Sequence, residues 1–378
     1  MRRVYLDHNA SSPLRAEARA ARESCPQIGN ASSIHWAGRA LRNRLDEARE
    51  RVAAALGCHA AEIVFTSGGS ESNALALWGA FLGRPDSARR GIAASALEHP
   101  SVGGAALALR AAGAEPRTFP ATALGIADPE LAGLHRRDCL ASLMLANNET
   151  GVLQPVAGLA EAAHAAGVLV HCDASQAAGR VPVRPRELGA DLLSISGHKL
   201  GAGLGAGALY VREGVRLAPL GPGHQEDGRR AGTEDVPSIV ALAAALEAAV
   251  REQGEEGARQ CALRERLERG LRAIPNALLV GEAAPRLPNT VSACFPGASG
   301  EGMLIALDLE GIAASSGAAC ASGTLEPSHV LLAMGLEPSM ARSALRFSLG
   351  RESTVEDIDR LLALLPEIVR RSRDAERP

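Results

Sequence analysis

The sequence predicts an α/β protein built on a mostly parallel sheet, followed by a smaller α+β portion. Three features predict this. Between about residues 40 and 250, short apolar runs alternate with Ala-rich helical stretches. The strand-like runs are almost continuously apolar, as strands buried on both faces must be. Several of them end in polar residues, where the ligands of such sheets sit.

In chain order the runs and their flanks are "EIVFTSG", "NALALWGAFL", "GIAASALEH", "ASLMLANNETG", "LAEAAHAAG", "VLVHCDAS", "DLLSISGHK" and "GALYVRE". Their polar ends are Thr66 and Ser67, His99, Asn147 and Asn148, Asp173, and His198 and Lys199. Beyond Pro237 comes a long helical region whose charge rises after Arg251, then short strands in "NALLVGE", "NTVSACF" and "IAASSG", and a final helix, "VEDIDRLLALLPEIVRR". A boundary is expected near residue 252, giving a large domain of residues 16–252 and a small one of residues 1–15 with 253–378. The first residues hold a short strand, "RVYLD", expected to pack on the small domain.

With 378 residues the chain is long enough for two domains and a large core. That core is filled by small side chains, since 46% of the residues are hydrophobic but only 2% are aromatic. A net charge of −3, with Arg and Glu alternating along stretches such as "ALRERLERGLRAI", gives no basic groove for nucleic acid and no membrane-binding face. No apolar run has the length of a signal or a membrane span, so a cytoplasmic protein is expected. Seven scattered cysteines without any C-x-x-C argue against a disulfide framework and fit a reducing compartment. No metal site is expected either: His171 or His59 with these thiols lacks ligand spacing.

"FTSGGSESNALALWGA" reads as strand, Gly-rich turn and helix start, with Ser67, Gly68, Gly69 and Ser70 at the helix's positive end. Such a place binds anions, phosphate above all, although a plain N-cap would look the same. "GAGLGAG" mimics a dinucleotide fingerprint, but its glycines run into a strand rather than opening a helix, so that assignment fails. They leave room for a bulky group beside Lys199. A lysine doing chemistry at neutral pH must be buried or set beside another cation, and His198 with the small surrounding residues suits that. Alone, Lys199 could equally be a surface lysine. Asp173 ends a strong strand, with Gln176 three residues on; a strand-end carboxylate can hold a heteroaromatic N–H⁺, or simply cap a helix. His99 could stack on a flat cofactor or be structural. An anion turn, a strand-end Asp, a strand-end His and a Ser-x-His-Lys in one sheet together describe a site for pyridoxal 5′-phosphate, with the amine of Lys199 carrying the cofactor's aldehyde.

At this point the sequence resembles the cysteine desulfurases of the NifS/IscS type, within the class V aminotransferase group of fold type I enzymes. The resemblance spans nearly the whole chain: "YLDHNASSP", "EIVFTSGGSESNALAL", "LEHPSV", "ANNETGVLQP", "HCDASQAAG", "SISGHK", "GALYVR", "GRRAGTEDV", "SSGAACASGTLEPSHVLLAMGL" and "LRFSLGR". It implies that Lys199 anchors pyridoxal 5′-phosphate, Asp173 holds the pyridine nitrogen, Gln176 contacts the phenolic oxygen and His99 stacks on the ring. Gly69, Ser70, Ser196 and His198 would bind phosphate, with Thr233 reaching across from the second subunit of a homodimer. Asn148 would touch substrate or ring, and Arg346 would clamp the carboxylate of L-cysteine as a bidentate fork. Cys320, in the small domain, would accept sulfur as a persulfide and pass it to an acceptor protein, an iron–sulfur scaffold or a sulfurtransferase, leaving L-alanine. Its Gly, Ser and Ala flanks suit an exposed loop of the longer kind.

The other six cysteines are expected to be structural. Two features depart from the family: "GHKLGAGLGAGALYV" lacks a Pro-Lys pair common there, and "RRSRDAERP" lacks the tail by which the IscS subgroup holds its scaffold. The alternatives are a selenocysteine lyase, another class V enzyme such as an aminotransferase, or a non-catalytic sulfur-relay protein. An intact Lys199, Asp173, His99 and Cys320 speak against the last.

Overall fold

The computed structural model describes residues 3–84, 86, 88–316 and 326–376. The chain opens with β1 (Val4–Tyr5), α1 (Ala16–Glu23) and α2 (Trp36–Leu56). It continues through β2 (Ile63–Thr66), α3 (Gly69–Gly83), β3 (Gly91–Ser95), α4 (Pro100–Ala108), β4 (Glu115–Phe119), β5 (Asp138–Ser142), α5 (Val156–Ala165) and β6 (Leu169–Asp173). Then come β7 (Leu192–Ser196), α6 (Gly197–Leu200), β8 (Gly207–Val211) and the long α7 (Val236–Arg272). The last part holds β9 (Leu278–Leu279), β10 (Thr290–Cys294), α8 (Gly300–Leu309), β11 (Ile312–Ala313), α9 (His329–Ala333), α10 (Pro338–Arg342), β12 (Ala344–Ser348) and α11 (Val355–Ala375).

Seven strands form the central sheet in the order β2-β8-β7-β6-β5-β3-β4. Strands β3 to β7 run parallel, as their apolar character predicts, and β3, β5 and β7 are buried along their whole length. β4 closes one edge, the place where the Pro116 in it can omit a ladder donor. β8 is antiparallel to both β7 and β2. The connection from β7 to β8, residues 197–206, is too short for a helical crossover, so the chain has to turn straight back.

Hydrophobic clusters cover the sheet on both faces, one centred on Leu45, Leu193 and Leu242, the other on Leu75, Ile92 and Leu209. A separate cluster around Leu267, Phe347 and Leu361 lies between the antiparallel sheet β12-β10-β9 and helices α7, α8 and α11. Residue 252 falls inside α7, which continues unbroken. The helix changes partner instead: Ala241 to Ala249 pack in the first core, and Leu263, Leu267 and Leu271 in the separate one.

The N-terminal segment ties the two together. β1 pairs with β11, and Val4 and Leu6 enter the separate core. The chain then runs back across the first core, where Ser12 N donates to His198 O at 2.9 Å and Arg15 N to Gly201 O at 2.8 Å. This run passes alongside Lys199.

Candidate active site

Chain turns at the carboxyl ends of the central strands line a cavity of about 480 Å³. One end of it is the N-terminus of α3, where the first N–H groups have no partner within the helix and favour an anion. The backbone comes very close here. A Cβ on Gly69 would lie 2.8 Å from Ser175 Oγ and 3.1 Å from Ser196 Cβ, and one on Gly207 would lie 2.6 Å from the Gly68 backbone. Glu71 steadies the turn by accepting from Ser67 N at 2.7 Å while Arg230 Nε reaches its other oxygen at 2.8 Å.

Asp173 closes β6 and is buried in the cavity floor. Asn73 Nδ2 donates to its Oδ2 at 2.8 Å and Ser175 N to its Oδ1 at 2.9 Å, so both oxygens are directed by fixed donors. Above it, His99 caps α4. Its Nδ1 lies 3.1 Å from Ser101 N and 2.8 Å from Ser101 Oγ. A backbone N–H can only donate, so Nδ1 is the acceptor and the proton sits on Nε2. Burial lowers the His99 pKa, with Lys199 and His329 lowering it further against Asp173, and the ring is neutral.

Lys199 sits in the single turn of α6, between the cavity and the N-terminal run. Its Nζ donates to the carbonyl of Ala10 at 3.0 Å and also to that of Asn9. It is the one lysine in the sequence; every other basic side chain of the Lys and Arg class is arginine. His198 beside it is pushed down to about 4 by burial, then by Lys199 and His99, and stays neutral.

Arg346 on β12 reaches the cavity from the other core. Its Nη2 lies 2.6 Å from Asp7 Oδ1 and its Nη1 donates to Asn148 O at 3.0 Å. Asn9 Nδ2 donates to the same carbonyl at 3.1 Å, which fixes Asn148 at the cavity wall. Gln176 lines the cavity beside Lys199.

The structure thus brings Gly69, Ser70, His99, Asn148, Asp173, Gln176, Ser196, His198, Lys199 and Arg346 around one cavity. Thr233 is exposed and does not line it. Cys320 lies outside the described residues. Both described flanks of its segment end near Arg346: Ser315 exchanges backbone hydrogen bonds with Arg346, and Ser328 Oγ donates to Glu149, next to Asn148. Among the other cysteines, burial pushes Cys139 up to about 11 and Cys58 and Cys294 up to about 12, and raises Cys172 and Cys25 too. These thiols stay protonated at neutral pH and are poor nucleophiles.

Sequence reasoning missed Asn73, Ser175, Ser101 and the carbonyls of Asn9 and Ala10. One signal was available: Asn73 follows Gly69 by four residues, on the same helix face.

The donor set fits pyridoxal 5′-phosphate. Ser175 Oγ and His198 Nδ1 are buried at the cavity with no partner among the described residues, beside glycines that leave space and an N-terminus that favours an anion. At the far side lie a carboxylate with directed oxygens and a single amine. No helix among the described residues is long and apolar enough to cross a membrane.

The aminotransferase class-V family profile matches residues 4–361. Two curated relatives named cysteine desulfurase are similar over nearly their full lengths. That of Gluconacetobacter diazotrophicus is 45% identical, with 99% of this chain and 95% of the relative covered. That of Cereibacter sphaeroides is 46% identical, with 98% and 96% covered. A solved NifS-like protein superposes with a TM-score of 0.90 at 33% identity, over 98% of this chain and all of the other.

Proposed function

The chain belongs to the class-V aminotransferase family and is a pyridoxal 5′-phosphate-dependent cysteine desulfurase of fold type I, and we propose that its chemistry rests on Lys199, Asp173 and Cys320. The observation that carries this assignment is the convergence of the chain's single lysine, a donor-directed strand-end carboxylate and a helix N-terminus on one cavity. When bound, the cofactor supplies a ring that takes up the electron pair released from the amino acid.

Each residue has a part in this. The helix N-terminus with Ser70, Ser196 and His198 would hold the phosphate. Asp173 would keep the ring nitrogen protonated, because an opposite charge favours the charged form. His99, neutral and with its ring fixed by Ser101, would stack on the cofactor ring. Arg346 binds the carboxylate of L-cysteine, and Asn148 helps place it. The free amine of Lys199 would be the base that takes the Cα proton of L-cysteine. The Cys320 thiolate then attacks the substrate sulfur. The S–S bond forms as the Cβ–S bond breaks, the electron pair of the broken bond remains with the carbon side, and protonation there yields L-alanine. Cys320 is left as a persulfide.

The persulfide is passed to a sulfur-acceptor protein, an iron–sulfur scaffold or a sulfurtransferase, in the cytoplasm. Thr233, exposed and outside this chain's own cavity, fits a homodimer in which it serves the second copy's site.

The test measures alanine and sulfide formed from L-cysteine. Cys320→Ser should keep the yellow absorbance of bound cofactor and lose desulfuration; Lys199→Ala should lose both. Desulfuration by Cys320→Ser at the parent rate would overturn the assignment of the nucleophile.

A further inference from the structure

Gln176 is held at both ends of its side-chain amide. Arg180 Nη1 lies 2.6 Å from Oε1, and Nε2 lies 2.9 Å from the carbonyl oxygen of Asn9. A guanidinium carries donors and no acceptor, and a carbonyl oxygen only accepts. Both contacts therefore demand the same orientation, with the oxygen toward Arg180 and the NH₂ toward Asn9 and the cavity. Turning the amide over would set N–H against N–H and oxygen against oxygen.

Arg180 is itself fixed. Its Nη1 also donates to the Gln176 carbonyl at 2.7 Å, Nη2 donates to His8 O at 3.3 Å, and its backbone N–H closes a turn on Ala177 O at 2.9 Å. These hydrogen bonds run to neutral oxygens. Burial, and then Arg346, lower its pKa to about 10, so it remains a cation at neutral pH. A half-buried cation set against neutral oxygens, with no Coulomb partner among the described residues, loses hydration without that compensation. A plain structural tie would be served as well by a neutral donor. What a donor-only group adds is that it can never accept, and so it forbids one of the two amide orientations.

We propose that Arg180 is a positioning residue that locks the Gln176 amide with its NH₂ toward the cavity, so that the site offers the phenolic oxygen of the cofactor a hydrogen-bond donor and never an acceptor. This rests on the reading of Gln176 given above. A donor held at that oxygen stabilises its ionised form and lowers the pH at which the bound chromophore titrates. The other charged and titratable groups beside Arg180 are His8 and Arg15 on the N-terminal run, Lys199 on α6, Glu256 on α7 and Arg351 and Glu352 beyond β12; those sharing the cavity with Gln176 are Glu71 on α3, His99, Asp173, His198, Lys199 and Arg346, and none of them is altered in the variants below.

The experiment is a spectroscopic pH titration of the holoenzyme, with and without substitutions at 180 and 176. Arg180→Lys, also donor-only, should titrate near the parent. Arg180→Met should move the midpoint upward by ~1 pH unit, the equivalent of one hydrogen bond to a charged group. Arg180→Gln can present either amide end to its neighbour, should move in the same direction, and serves if the Met variant fails to fold. In a Gln176→Ala background, Arg180→Met should add almost nothing, because the arginine acts through the amide. A midpoint unmoved in both Arg180→Met and Arg180→Gln, or a shift that persists in full without Gln176, overturns the inference. A parent protein that takes up no chromophore overturns the proposed function instead.

Discussion

Asn73 and Asp173 meet in the cavity floor, with Asn73 Nδ2 2.8 Å from Asp173 Oδ2. The helix whose N-terminus opens on the cavity therefore also carries, one turn in, the amide that directs the Asp173 carboxylate. Both ends of the proposed cofactor site are set by one rigid element. Removing this donor leaves a buried carboxylate with one directed oxygen. Asn73→Ala should weaken retention of pyridoxal 5′-phosphate by ~10-fold or more, since a hydrogen bond to a charged group contributes ~1.5–3 kcal/mol. Asn73→Asp should be worse, because it sets two carboxylates against each other. Absorbance titration with the cofactor measures both, and affinities equal to the parent would show that Asp173 needs no such support.

Glu98 lies under His99, 5% exposed, with Oε1 accepting from Met144 N at 2.7 Å and Oε2 without a partner among the described residues. Burial, and then the Asp173 carboxylate, push its pKa from 4.5 up to about 8. Between those values the folded chain keeps a proton that the unfolded chain has released. This group's contribution to stability therefore falls as pH rises through the window and levels off above it. Glu98→Gln removes the titration. Its melting temperature relative to the parent should rise between about pH 5 and about pH 8, by the equivalent of roughly 3–4 kcal/mol. A difference that stays constant with pH would mean that Glu98 is already ionised in the fold.

Arg346 is only 4% exposed and its Nε has no partner among the described residues. A lysine there keeps the charge but not the planar fork. Arg346→Lys should raise the KM for L-cysteine by ~10-fold or more with a smaller change in kcat, because a point charge cannot engage both carboxylate oxygens along parallel bonds. Steady-state kinetics decide the matter. A fall in kcat at unchanged KM would place Arg346 in the chemical step rather than in binding.

Much of the architecture was legible in the chain because local pattern carries it. Apolar strands imply burial on both faces, and β3, β5 and β7 are so buried. The turn before α3 and the polar ends of β6 and β7 were legible too, since the chemistry of a helix N-terminus or a strand-end carboxylate belongs to a few consecutive residues. The reversal of β8 was implicit in the shortness of the 197–206 connection, which the parallel expectation passed over. The partners of the site residues were not legible. Asn73 is 100 residues from Asp173, and Asn9 is 190 from Lys199.

By itself, then, the chain's order of residues singled out the side chains proposed to carry the chemistry, because type and local spacing fix what a group can donate, accept or titrate. Only folding decided how those groups point. The direction of the Asp173 carboxylate, the Gln176 amide and the Lys199 amine is imposed by Asn73, Arg180 and the carbonyls of Asn9 and Ala10. A hydrogen bond acts over about 3 Å, and only the packing of distant segments brings its two ends that close.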